Sequence, residues 1–158
     1  MTDAHKFLLT RVQPAMVGLI DGSLSTLAPI FGIVFYTHTP HTAFIAGLAT
    51  SIGAGISMAY SEGLSDTGEL TGRGSPVVRG SITGVGTFLG GILHTLPFLI
   101  SNYHAAVITA AIVVGFELIG LATLRWRFFE TSFVKSLGYV TFGGAVIAIV
   151  GATIGSTA

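Results

Sequence analysis

The chain has 158 residues, of which 51% are hydrophobic and only 9% charged, with a mean hydropathy of +0.80 and a formal net charge of zero. That balance excludes an ordinary soluble domain and indicates an integral membrane protein; at about 20 apolar residues per crossing helix the chain holds five or so spans and no separate soluble domain. Neutral charge without a basic run gives no footing for nucleic acid, and the absence of cysteine excludes disulfides, thiolate metal sites and cysteine nucleophiles.

Apolar runs bounded by Gly, Pro and charge predict an all-α, polytopic fold with spans at about 15–37, 42–62, 79–101, 104–124 and 134–156. In the first, Asp21 interrupts a stretch without Asp, Glu, Lys or Arg that runs from Val12 to Ser61. A carboxylate at membrane depth costs about 2.5–3.5 kcal/mol on insertion scales and therefore faces a partner, a cation or a water-filled path. Ser25 and Pro29 fall on its face, with Ser23 and Thr26 nearby. Length, Asp21 and two prolines set this span apart from a cleaved secretory signal.

In the second span Ser51, Gly55, Met58 and Glu62 are spaced by four, three and four residues and form one stripe. Continued helix would extend it through Asp66 and Glu69, stacking carboxylates below a thioether, a donor set that favours softer divalent transition metals over Mg(II) or Ca(II). The structural alternative has Met58 filling space and the carboxylates pairing with Arg73 and Arg79. The third span carries His94, a packing histidine or a ligand. The fourth carries Glu117, a proton-carrying or metal-binding group or else a structural partner for His94 or a serine. His38, His41 and His104 fall in or beside the links that lack Lys and Arg.

Glycines at small-xxx-small spacing, Gly80 with Gly84, Gly86 with Gly90, Gly151 with Gly155 and Ala49 with Gly53, predict close helix contacts. Pro14, Pro29 and Pro97 predict breaks or kinks, and the segments around Thr26–Pro29 and His94–Pro97 are faintly alike. All seven basic residues (Lys6, Arg11, Arg73, Arg79, Arg125, Arg127 and Lys135) fall on one side of a five-span topology, which the positive-inside rule makes cytoplasmic. The N-terminus is then inside and the C-terminus outside. There is no P-loop, GxSxG, HExxH or Rossmann fingerprint, so an enzyme is not expected.

Asp21-Gly22 and Ser57-Met58-Ala59-Tyr60-Ser61-Glu62 together resemble the vacuolar iron transporter family, with Ser61 where the family more often has Gly. The strings from Asp21 to Pro29 and from Leu70 to Gly74 resemble most the membrane module of its membrane-bound ferritin branch. The resemblance implies a homodimeric exporter of Fe(II) from the cytosol in exchange for protons, with no permanently bound cofactor. It implies that Asp21 binds the ion and titrates, that Met58 is a soft ligand, and that Glu62 accepts the ion at the cytoplasmic mouth. The family's long Glu-rich insertion after span two is replaced by the short segment 63–78, and no ferritin-like domain precedes span one. Either Glu62, Asp66 and Glu69 form a minimal entry site, or a separate ferritin-like protein delivers the metal. The expectation is a dimeric Fe(II)/proton antiporter in a prokaryotic inner membrane. Its rivals are the same transporter with Mn(II) as cargo, and a non-transporting membrane subunit that docks a partner.

Overall fold

The computed structural model describes residues 3–129 and 131–158, and among these all regular structure is helical. Five helices are long and apolar enough to cross a membrane: α1 (Asp3–Thr37), α2 (Pro40–Ser65), α3 (Pro76–Leu93), α4 (Tyr103–Phe128) and α5 (Phe133–Thr157). They alternate in direction. At one end Gly74 lies against Thr10, and Phe7 and Arg11 share a groove with Leu124 and Phe128. At the other end the His38 and Tyr103 rings are 5.0 Å apart and Phe98 meets Phe31 edge-on. The basic residues gather at the first end, as the five-span reading requires.

Two boundaries differ from expectation. Helix α1 begins at Asp3, well before residue 15, because a π-turn over Leu8–Val12, closed by the Gln13 N–H on the Leu8 carbonyl, leads into Pro14 near the start of the following α-helical turns. It then breaks at Thr26, between Gln13–Ser25 and Leu27–Thr37. Pro29 has no N–H to offer the Ser25 carbonyl, and the Thr26 hydroxyl donates back to the Gly22 carbonyl at 2.9 Å, a contact that bends helices. The third helix ends at Leu93, not near 101; a turn at His94–Thr95 leads into a 3₁₀ segment, Leu96–Leu99, that carries Pro97. Asn102 then caps α4 by accepting the Ala105 N–H at 2.9 Å.

Helix α3 is the centre of the bundle. A methyl group at Gly80 or Gly84 would lie 2.5 Å from the Ala59 carbonyl oxygen or 2.6 Å from that of Gly55, both on α2. On another face a Cβ at Gly90 would lie 2.6 Å from the Leu19 carbonyl oxygen of α1, and Gly22 of α1 leaves no room for a Cβ beside the Thr87 carbonyl. Gly151 of α5 packs on Ala28 in the same way. Where lipid is as apolar as any side chain, this backbone contact supplies the association energy. Three of the four predicted small-residue pairs make such contacts. The fourth does not: Ala49 is exposed and nothing lies within 4 Å of a Cβ at Gly53.

Gly22→Ala should therefore cost about 3 kcal/mol or prevent assembly, since overpacking against backbone has no side chain to yield. Gly53→Ala should be neutral or stabilise by up to about 1 kcal/mol. Unfolding of both variants in mixed micelles measures the difference.

Candidate functional site

Three polar groups stand in the helices, and they differ in how completely each is paired. The first opens onto the side of the bundle. Asp21, Ser25 and Met58 line one groove of about 460 Å³ with Val17, Ile20, Leu24 and Ile147. Asp21 and Met58 are half-buried and Ser25 is exposed. Residues 21 and 25 share a face of α1 by helical spacing, while the packing of α2 brings Met58 beside them. Among the described residues Asp21 has neither hydrogen bond nor ion pair. It is an open carboxylate with a thioether and a hydroxyl near it.

The second group is interior. His94, 1% exposed, lies at the end of α3 with its Nε2 2.6 Å from Thr26 Oγ1 of α1 and its Nδ1 2.7 Å from Glu117 Oε2 of α4. The alternative that pairs Glu117 with His94 is thus observed, and His94 is bonded on both ring nitrogens. The two proline-bearing segments that look alike in the sequence meet through this histidine. Thr26, absent from the expected site residues, is its third member; the shared Thr-Leu before each proline was the available signal.

The third group sits at the basic end. Helix α2 stops at Ser65 and Asp66 is extended, so the condition for the stripe to run on through Asp66 and Glu69, a continued helix, is not met. Asp66 instead folds the loop: its Oδ1 accepts the Gly68 N–H at 2.7 Å and its Oδ2 the Thr71 hydroxyl. Gly68 takes φ +84°, where a Cβ would strike the Gly74 carbonyl. The fully buried Arg79 fastens the loop, its guanidinium donating to Glu62 Oε1 (2.9 Å), the Gly74 carbonyl (2.8 Å) and the Asp66 carbonyl (2.8 Å). Arg73 reaches the same Glu62 Oε1 at 2.8 Å. Glu62 and Asp66 therefore carry the arginine partners of the structural alternative, while Glu69 is exposed. Burying a charge without such a fork would be prohibitive, which is why Arg79 stands where the loop can wrap it.

Upstream in the stripe, Ser51 is buried against Gly91 and donates to the Gly47 carbonyl at 2.7 Å, so it packs α2 on α3 and lines no groove. His38, His41 and His104 each lie near an aromatic ring and come from three separate segments. Among the described residues no three His, Asp or Glu side chains converge as a metal site would require. Comparison of the chain with protein-family models, with curated proteins and with solved structures found no match.

Arg79→Ala should destabilise the fold by about 3–5 kcal/mol, because Glu62 and two carbonyls lose a buried partner together; Arg79→Lys should recover only part, lacking the fork. Chemical unfolding in micelles checks both. The Thr71 hydroxyl, the Gly68 N–H and the arginine charges hold the Asp66 carboxyl below its usual 3.8. A lowered folded value contributes stability that is complete above the unfolded value and lost as pH falls through the folded one. Protease nicking within 66–75 should accordingly rise below about pH 4, and Asp66→Asn should be nicked readily already at neutral pH.

Proposed function

We propose that the chain is a homodimeric exporter of a divalent metal ion, Fe(II) foremost, that returns protons as the metal leaves. The observation that carries this reading is Asp21, a carboxylate midway along a membrane-length helix with no partner among the described residues, open to a groove it shares with Met58. Glu117 and Glu62 are both paired, so the uncompensated acid is the one placed to meet a cation. A single copy offers one carboxylate and one thioether, too few donors for selective binding. Two copies facing across the groove would offer two of each, and the thioethers favour Fe(II) over harder ions. The resemblance of the 21–29 and 57–62 strings to iron transporters points the same way.

Orientation follows from the seven basic residues, which put the Glu62 end in the cytoplasm. Both arginines bind Oε1 of Glu62, so Oε2 stays open to a hydrated ion, and the partly exposed Arg73 is the partner an ion can displace. Protonation of Asp21 from the far side then removes the charge that holds the metal, and one carboxylate serves both fluxes. Mn(II) satisfies the same donors. The double arginine clamp on Glu62 favours a second reading, a non-transporting subunit whose charges serve folding and whose glycine faces dock a partner.

Proteoliposomes holding the purified protein separate these readings. Under reducing conditions Fe(II) should move against a counterflow of protons, and Asp21→Ala should reduce both to background while remaining a folded dimer. Met58→Leu should keep the flux but lower the preference for Fe(II) over Mn(II). A folded wild-type dimer that binds and moves no divalent metal would establish the docking reading instead.

A further inference from the structure

Donor and acceptor roles around His94 are linked to one another. The Thr26 hydroxyl has one proton, and the Gly22 carbonyl at 2.9 Å can only accept it. Where that back-bond holds, Thr26 Oγ1 accepts from His94 Nε2, which requires the Nε2–H form of the ring. With Nε2 as donor, the 2.7 Å separation of Nδ1 and Glu117 Oε2 needs a proton between them; without it two lone pairs would face each other. The proton can rest on either atom, as carboxylic acid beside neutral imidazole or as carboxylate beside imidazolium, and the pair is neutral both ways. Oε1 of Glu117 is buried with no partner among the described residues.

We propose that His94 and Glu117 share one exchangeable proton, a second proton site distinct from Asp21, and that its occupancy sets the bend of α1 at Thr26. Loss of the proton leaves a net negative pair with one ring proton. The electrostatically sound arrangement puts that proton on Nδ1, facing the carboxylate, so Nε2 becomes an acceptor. Thr26 must then turn its hydroxyl from the Gly22 carbonyl to Nε2. The back-bond at the α1 break is released, one residue from Asp21 and in the turn that carries Ser25. Proton binding inside the bundle is thereby tied to the shape of the groove, deepening the exchange reading on which it rests.

No other titratable side chain among the described residues is bonded to either member. Helix α1 presents Thr26, with Asp21 about 140° round the helix from it; α2 presents Ser51 beside Gly91; α5 carries only Lys135 and Tyr139, both exposed.

Two readouts test this. In nanodiscs, the carboxyl infrared band of Glu117 and the ¹⁵N shifts of His94 should change together in one step as pH is varied. Asp21→Asn should leave that step in place and Glu117→Gln should remove it from the His94 signal. Signals flat across the range, or a His94 step unmoved by Glu117→Gln, would overturn the shared proton. In proteoliposomes, Glu117→Gln and His94→Gln should still pass metal down its own gradient but return fewer protons per ion; an unchanged ratio in both would overturn the coupling role. Failure of the wild type to move metal would sink the exchange reading alone, since the spectroscopic step decides the proton site without any flux.

Discussion

Everything polar in this bundle depends on how near the backbone of α3 comes to its neighbours. Glycine on two faces of one short helix lets α1 and α2 approach until carbonyl oxygens, not side chains, are the contact surface. At that separation short side chains suffice to cross between helices: a threonine hydroxyl reaches the imidazole on α3, and a glutamate on α2 reaches an arginine in the first turn of α3. Larger residues at Gly22, Gly84 or Gly90 would push the helices apart and break these bonds along with the packing. In lipid this matters doubly, because a polar group that loses its partner finds no water to replace it.

The two ends of α3 resolve the cost of burying polar groups in different ways. At its start, Arg79 meets the Glu62 carboxylate and spends its remaining donors on loop carbonyls, so this end is held by one fully bonded guanidinium. At its close, His94 and Glu117 are groups whose charge can change, joined to a hydroxyl whose hydrogen bond can turn. A fixed end and an adjustable end on one helix confine any change of state to the region around the α1 break. Asp21 stands outside both arrangements, which is what distinguishes it from an acid kept for stability.

Periodicity and composition made the five helices and the clustering of basic residues legible, because hydropathy and charge placement are properties of segments. The stripe from Ser51 to Glu62 was also legible as a face, but not what covers it. Ser51 and Gly55 turn to α3 while Met58 turns to the groove, a division set by which helix lies alongside. Spacing leaves Asp66 open between a continued stripe and an arginine partner, and a local contact decides it: its carboxylate accepts the Gly68 N–H just past the end of the helix. The ends of α1 and α3 shifted because proline marks lost hydrogen bonds but not whether a π-turn or a 3₁₀ turn absorbs them. Thr26 could not be picked out from Ser23 and Ser25 by spacing, since its role arises where two distant breaks meet.

That meeting gives α1 its particular place in the molecule. One face of its middle carries the groove acid, another inserts between α3 and α4, and the break lies between them. A rigid helix would keep the two sites independent, whereas a helix interrupted at Thr26 beside a proline and a hydroxyl back-bond has a place where a local change can be absorbed. In the proposed exchange, a proton at His94–Glu117 and a metal at Asp21 would act on the same break, and any coupling between them would be reciprocal. The glycines on either side of the break, Gly22 against Thr87 and Gly32 beneath Gly155, hold the two halves of α1 on different neighbours. The break at Thr26 therefore lies between the half of α1 packed on α3 and the half packed on α5.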